Sequence, residues 1–156
     1  MKIIKIQAAN DKIIEEVINN LKKGKVIVYP TETFYGLGCD ATNSRAVNKI
    51  YKIKSKPRDK ALLFLVSSVK MAQEYLEINS AAKKLGKPII STSANLSGLP
   101  ASHTVEEIIK YFTNQKHQPD LILDAGKLKK SKGSTIVDLT ELEIKIIREG
   151  DVKIKL

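Results

Sequence analysis

The chain has 156 residues, of which 42% are hydrophobic, enough for a single globular domain that spans residues 1–156. No run approaches the roughly 18 apolar residues of a membrane span, and the amino-terminal residues lack the apolar stretch of a secretory signal, so we expect a cytoplasmic protein without membrane partners. A net charge of +10, from 27 basic and 17 acidic residues, favours a polyanionic partner, although a lysine-rich surface that only maintains solubility gives the same balance.

Hydrophobic periodicity in the first half of the chain predicts strands that alternate with helices. In chain order the elements are a strand at 2–7, a helix at 12–23, a strand at 25–29, a loop at 31–40, a helix at 44–54, a basic loop at 54–60 and a strand at 61–66. Asn10 or Asp11 is the expected cap of the first helix, and Ser44 is that of the second.

The second half of the chain predicts shorter elements. They are a helix at 67–75, a helical turn at 81–85, a strand at 89–90, a helix at 104–112 with Thr104 as its cap, and strands at 121–123, 135–139 and 143–147. Because these last strands are close together in the sequence, we expect them to pair antiparallel. The alternation of helices and strands predicts a mixed sheet with helices packed on it.

Small polar side chains crowd the residues after the strand at 89–90. They are Ser91, Thr92, Ser93, Asn95 and Ser97. Such side chains offer donors and acceptors to a polar ligand, and they also make turns with their own backbone. Because ligands of open α/β sheets bind at the carboxyl ends of strands, the cluster indicates either a binding site or a capped turn.

The loop at 31–40 is the second candidate segment. Thr31 and Thr33 flank an acidic residue, and two glycines further on allow close approach of the backbone. The threonines share one side if the chain is extended there. The alternative interpretation is a structural turn closed by aromatic residues.

Cations and hydroxyls supply the other candidates. Four cations lie in the basic loop: Lys54, Lys56, Arg58 and Lys60. They suit a polyphosphate through charge-assisted hydrogen bonds, or they form a solvated loop. Ser134 follows a glycine at a strand entry, and Arg148 ends an aliphatic strand as an anion-binding fork or as a surface charge paired with Glu149. No cluster of His, Cys or carboxylate residues predicts a metal site built from protein ligands alone.

Taken in order, four segments resemble one known family. They are Pro30-Thr-Glu-Thr-Phe-Tyr-Gly-Leu, Lys54-Ser-Lys-Pro, Ser91-Thr-Ser-Ala-Asn-Leu-Ser-Gly, and Gly133-Ser-Thr-Ile-Val-Asp-Leu with Arg148-Glu-Gly. From about residue 12 to residue 150 the chain resembles the YrdC-like threonylcarbamoyl-AMP synthases. The resemblance implies the α/β (α+β) class, with a twisted mixed sheet and flanking helices around a concave basic cavity.

The resemblance also implies an activity and a site. It implies a nucleotidyltransferase that forms threonylcarbamoyl-AMP from ATP with Mg²⁺, L-threonine and bicarbonate, for adenosine 37 of tRNA, with partner proteins making the transfer. On the ATP side it implies Lys54, Lys56, Lys60, Ser93, Asn95 and Arg148. On the threonine side it implies Thr31, Thr33, Ser91 and Ser134. It implies neither a protein nucleophile nor a protein-bound metal, since such a reaction needs positioning and charge neutralisation.

The chain departs from the family pattern in three places. Lys56 stands where the family motif has Arg, and Ala61 stands where Pro is usual. The family also carries a few tens of additional residues, with two strands, where this chain runs from 78 to 87. If the intact protein carries this segment, it is an ordinary synthase; if the deletion is real, uncovered sheet edges favour a homodimer. The alternative function is then a non-catalytic domain that binds tRNA, double-stranded RNA or a nucleotide.

Overall fold

The computed structural model describes residues 1–6, 10–65, 89–138 and 145–153. In chain order its elements are β1 (Lys2–Lys5), α1 (Asp11–Lys22), β2 (Ile27–Pro30), β3 (Tyr35–Asp40), α2 (Ser44–Lys54), β4 (Phe64–Leu65), β5 (Ile89–Ser93), α3 (Val105–Phe112), β6 (Leu121–Asp124), β7 (Ile136–Asp138) and β8 (Lys145–Arg148). The helices predicted at 67–75 and 81–85 lie outside the described residues.

Six strands form one mixed sheet in the order β1-β6-β2-β3-β5-β4, and β7 and β8 form a separate hairpin. β6 lies between β1 and β2 and is parallel to both. The remaining neighbours, β2 with β3, β3 with β5 and β5 with β4, are antiparallel. The expected mixed sheet is therefore confirmed. The expectation of antiparallel late strands is right for β7 and β8 but wrong for β6.

Successive residues of each strand point to opposite sides of the sheet. The sheet therefore has two faces, and helices pack on both. On one face, Val28, Leu37 and Ile122 pack with Ile50 of α2 and Phe112 of α3. On the other face, residues of α1 pack with alternate residues of the strands. This second cluster contains Val17, Leu21, Ile27, Ile89, Leu121 and Leu123. The result is a three-layer arrangement with α1 on one side and α2 and α3 on the other.

Side-chain caps fix the starts of the three described helices. Asn10 accepts a hydrogen bond from the N–H of Ile13 at α1, and Thr104 accepts one from Glu107 at α3, as expected. At α2 the expected cap is wrong by one residue. Asn43, whose backbone is extended, accepts from two N–H groups of the first turn, and Ser44 is already helical. An extended backbone is what allows a side chain to reach back to those donors.

Two polar segments are strands where loop was expected. β3 occupies the second half of the predicted loop at 31–40, and β5 continues from Ile89 through Ser93. Glycines conceal the strand pattern of β3, because they interrupt the alternation of side chains. No helix among the described residues is long and apolar enough to cross a membrane.

Candidate functional site

A patch made of Tyr29, Gly36, Gly38, Ser91 and Ser93, which we call the polar patch, lies on the α1 face of the sheet beside Ile27 and Ile89. The register pairs Tyr29 with Gly36, Gly36 with Ser93, and Gly38 with Ser91, and paired residues share a face. A Cβ at Gly36 would lie 3.1 Å from the Tyr29 ring, and a Cβ at Gly38 only 2.9 Å from it. The ring of Tyr29 therefore lies against both glycines, which explains why this strand contains them.

The side chain of Tyr29 contacts Ser91, one of the predicted site residues, on the other side of the patch. Its hydroxyl donates to Ser91 Oγ at 2.6 Å, and burial raises the pKa of Tyr29 to about 12. The phenol thus stays a donor at neutral pH, and Ser91 retains its own O–H for another acceptor. Nothing in the sequence alone distinguished Tyr29 from any other buried strand residue.

Lys54, at the last turn of α2, is only 4% exposed. Its Nζ donates to Ser93 O at 2.6 Å, to Asn95 O at 3.0 Å and to Asn95 Oδ1 at 2.8 Å. An ammonium has three donors, so all three have partners. Burial, and then the charge of Lys56, lower the pKa of Lys54 to about 8. The structure thus brings together Lys54, Ser93 and Asn95.

The turn that holds Ser93 and Asn95 is bonded on several sides. Ser93 Oγ donates to Asn95 Oδ1 at 2.7 Å, and the Asn95 amide donates to Leu99 O. The N–H of Ser97 donates to Lys54 O at 2.8 Å. The polar cluster therefore forms the turn that its sequence indicated, and its role as a binding site stays a prediction.

Lys56 and Lys60 of the basic loop make their contacts outside this turn. Lys56 Nζ donates to Ala61 O at 2.8 Å, although its charge acts on Lys54. The Tyr51 hydroxyl donates to Lys60 O at 2.9 Å, and the side chain of Lys60 is exposed. Within the described part of the chain, no hydrogen bond joins Lys56 or Lys60 to Ser93 or Asn95, so these two cations lie outside the turn.

The Thr31 hydroxyl is committed to a tight turn. It donates to Phe34 O at 2.6 Å and accepts from the N–H groups of Thr33 and Phe34, both at 3.2 Å. Those bonds use its proton and both lone pairs. Thr33 Oγ1 lies 3.1 Å from Thr31 Oγ1 and has capacity left. Thr31 therefore shapes the loop, while Thr33 is the hydroxyl able to contact a ligand.

The β7–β8 hairpin brings the last predicted segment to this loop. Arg148 Nε and Nη2 donate to Ser134 O at 3.1 and 2.9 Å. A Cβ at Gly133 would lie 2.8 Å from the Phe34 ring and 3.2 Å from Arg148 Nη2. Gly133, with a φ of +88°, thus separates the ring from the guanidinium. The structure places Ser134 and Arg148 beside Phe34, the residue that follows Thr33.

His103 is a further neighbour of the Phe34 ring. Its ring centroid is 4.9 Å from that of Phe34, and its buried Nδ1 has no hydrogen-bond partner among the described residues. Its position just after the Ser/Asn-rich segment was the only sequence signal for it.

The fold and the site define a class of protein. It is a mixed α/β domain that gathers lysines, an arginine and hydroxyls, the groups that bind phosphates and other small anions. Among the described residues no group of three potential metal ligands occurs.

The chain belongs to the Sua5/YciO/YrdC family. The family model, which is described as telomere recombination, matches residues 19–85 and 79–150. A Methanocaldococcus jannaschii protein named as a candidate threonylcarbamoyl-AMP synthase is 31% identical over 200 residues, covering 99% of this chain and 95% of that protein. A threonylcarbamoyl-AMP synthase of Vibrio vulnificus is 28% identical over 173 residues, covering 72% of this chain and 93% of that protein.

A solved structure has the same fold. It is that of P. abyssi Sua5 complexed with L-threonine, which matches 96% of this chain with a TM-score of 0.79 at 23% identity. This chain spans 58% of the length of that Sua5 chain. The twisted mixed sheet and flanking helices that the resemblance implied are thus confirmed.

Proposed function

We propose that this chain is a threonylcarbamoyl-AMP synthase, a nucleotidyltransferase that uses ATP, L-threonine and bicarbonate. The observation that carries the proposal is the buried cluster of Lys54, Ser93 and Asn95 at the end of the polar patch. The names of the two sequence relatives support the same activity. A fold alone would not support it, because one fold serves many functions.

The proposed reaction has two bond-forming steps. The substrate amine attacks bicarbonate to give a carbamate, with loss of water. A carbamate oxygen then attacks the α-phosphorus of ATP, and the bond to the diphosphate oxygen breaks. No protein atom forms a covalent bond in either step, so this chain contributes positioning and neutralisation of negative charge.

The site residues divide into two sets under this proposal. The ATP side comprises Lys54, Lys56, Lys60, Ser93, Asn95 and Arg148. The threonine side comprises Thr31, Thr33, Ser91 and Ser134. Two of these act through neighbours: Lys54 holds the Ser93–Asn95 turn, and Thr31 holds the loop that presents Thr33.

Magnesium fits this site as a partner of the substrate rather than of the protein. Mg²⁺ prefers substrate phosphates together with water and few protein ligands. When bound to ATP it would neutralise the charge of the departing diphosphate. The cations on Lys56, Lys60 and Arg148 would then complete that neutralisation.

We also propose that an internal family segment is absent near residues 78–87. The family model matches in two pieces that overlap at residues 79–85. The alignment with the M. jannaschii relative extends over 200 residues, although this chain has 156. The overlap supports a gap at this point, where the family resemblance implies two further strands, and the alignment length supports additional residues in the relative.

Diphosphate release tests the proposed function. The purified, folded chain should release diphosphate from ATP only when both threonine and bicarbonate are present. Ser93→Ala should reduce the rate at least tenfold, whereas Ser97→Ala, on an exposed hydroxyl of the same segment, should leave it nearly unchanged. Binding of ATP without any turnover would overturn the proposal in favour of a non-catalytic nucleotide-binding domain.

The proposed product would pass to partner proteins that transfer the threonylcarbamoyl group to tRNA.

Uncovered strand edges left by an absent segment would favour a homodimer, and among the described strands β4 lies at one edge of the sheet. Sedimentation velocity at micromolar concentration should show a dimer. A monomer over the whole concentration range would contradict that part of the proposal.

A further inference from the structure

The polar patch has three hydroxyl groups, and their hydrogen bonds leave one proton for a ligand. The Tyr29 hydroxyl donates to Ser91 Oγ at 2.6 Å, and the Ser93 hydroxyl donates to Asn95 Oδ1 at 2.7 Å. The protons of Tyr29 and Ser93 therefore already have acceptors. The proton of Ser91 has no acceptor among the described residues, so it is the hydroxyl donor that this patch offers to a ligand.

The position of the Tyr29 hydroxyl is fixed by the strands around it. A Cβ at Gly36 would lie 3.1 Å from the Tyr29 ring, and a Cβ at Gly38 would lie 2.9 Å from it. The ring thus fills the space that the two glycines leave, and its hydroxyl is held against Ser91. Because burial raises the pKa of Tyr29 to about 12, the phenol keeps the proton that it donates.

The bond from Tyr29 prepares Ser91 to donate in turn. A hydroxyl that accepts a hydrogen bond becomes a stronger donor, because successive bonds in a chain polarise one another. Both side chains are half-buried rather than sealed in the core, so a small ligand has access to the Ser91 proton. The ligand group that uses this proton must be an acceptor.

We propose that Tyr29 is a positioning residue that directs the Ser91 proton onto the carboxylate of the amino-acid substrate. The identity of this substrate, and the place of Ser91 on the threonine side, rest on the proposed function. Threonine has two acceptor groups, its carboxylate and its hydroxyl, and the charged carboxylate accepts the stronger hydrogen bond. Ser91 then binds the part that all amino acids share, and selection of the threonine side chain falls to other groups.

Calorimetric titration of the full chain without ATP tests this inference with L-threonine and L-2-aminobutyrate, which lacks the hydroxyl. Tyr29→Phe should weaken the binding of both ligands by the same factor, about fivefold or more. A loss confined to threonine, or a wild type that binds threonine but not 2-aminobutyrate, would show that the patch binds the hydroxyl and would overturn the inference. Equal affinities in Tyr29→Phe and wild type would also overturn it.

The double variant Tyr29→Phe/Ser91→Ala distinguishes positioning from a general structural effect. Ser91→Ala alone should weaken threonine binding about tenfold or more. If Tyr29 acts through Ser91, the double variant should bind threonine no more weakly than Ser91→Ala, because the two substitutions remove the same interaction. Losses that add up would contradict the proposed role.

Tyr35→Phe is the matched control, because it removes a buried hydroxyl from the neighbouring strand. That hydroxyl donates to Gly126 O at 2.8 Å and accepts from the N–H of Ala125 at 2.9 Å. The control should therefore be less stable, yet bind threonine within about twofold of wild type. The same loss of affinity in Tyr35→Phe and Tyr29→Phe would count against positioning.

Diphosphate release by the wild type, measured in parallel, separates this inference from the proposed function. Threonine binding that depends on Tyr29 without diphosphate release would contradict the proposed activity alone. Diphosphate release together with an unchanged threonine affinity in Tyr29→Phe would contradict this inference alone. A wild type that neither binds threonine nor releases diphosphate would overturn both.

Discussion

The ammonium of Lys54 holds the Ser93–Asn95 turn by three hydrogen bonds. We expect Lys54→Met to lower the free energy of unfolding by about 1–3 kcal/mol, because buried oxygens lose a charged donor. Urea unfolding followed by circular dichroism measures this loss. Lys52→Met, in the same helical turn but exposed, is the matched control and should change stability by less than about 0.5 kcal/mol. Similar losses in the two variants would contradict the structural role of Lys54.

Lys54 also gives the stability of the protein a specific pH dependence. Its pKa is about 8 in the folded chain, against an ordinary value of 10.5, so the unfolded state binds more protons between these values. The contribution of Lys54 to the free energy of unfolding is therefore lowest below pH 8 and rises with pH toward 10.5.

Two other groups make the free energy of unfolding fall, rather than rise, with increasing pH. Burial raises the pKa of both Cys39 and Tyr29 to about 12, so the unfolded state loses protons first and stability falls as pH rises above about 9. Both groups are present in Lys54→Met. The stability of wild type minus that of Lys54→Met should therefore rise between pH 7.5 and 9.5, as measured by urea unfolding at each pH. A flat difference would show that Lys54 titrates normally.

At the scale of elements, β3 depends on its glycines for contact with its neighbours. A Cβ at Gly38 would lie 2.7 Å from Ile90 O on β5, a backbone atom that cannot move alone. At Gly36 the nearest atom is in the Tyr29 ring, at 3.1 Å. Gly38→Ala should therefore cost about 2 kcal/mol of stability and Gly36→Ala clearly less. Thermal unfolding measures both, and the reverse order would contradict the described β3–β5 contact.

The elements also show what the sequence could predict. The helices are predicted well because apolar residues recur at helical spacing in α1 and α2 and side-chain caps mark their starts. β3 was missed because Gly36 and Gly38 present no side chains to alternate. The position of β6 was missed because a strand's partners depend on the fold of the whole chain, which local spacing does not contain.

In the candidate site, too, the sequence predicts some features and misses those that depend on the fold of the whole chain. The resemblance named Lys54, Ser93 and Asn95, and the structure joins them by hydrogen bonds. Their roles in binding ATP stay a prediction. No sequence pattern indicated that Lys54 has all its donors engaged or that the Phe34 ring meets Gly133, because both contacts join segments that are distant along the chain.

At the scale of the whole molecule, the proposed absence of the family segment is itself testable. We expect peptides of the protein from its natural source to cover residues 78–87 with no additional residues between them, so that the proposed deletion belongs to the functioning protein. Peptide mapping by mass spectrometry measures this directly. Additional peptides that map between residues 78 and 87 would show instead that the family segment is present.

The place of β6 in the sheet has a consequence for biosynthesis. β1 and β2 are made early, but the strand that joins them is made only when residues 121–124 leave the ribosome. Until then the backbone N–H and C=O groups on the facing edges of β1 and β2 lack their strand partner. Nascent chains halted before residue 121 should therefore be cleaved readily by protease, while chains that extend past β6 should resist it.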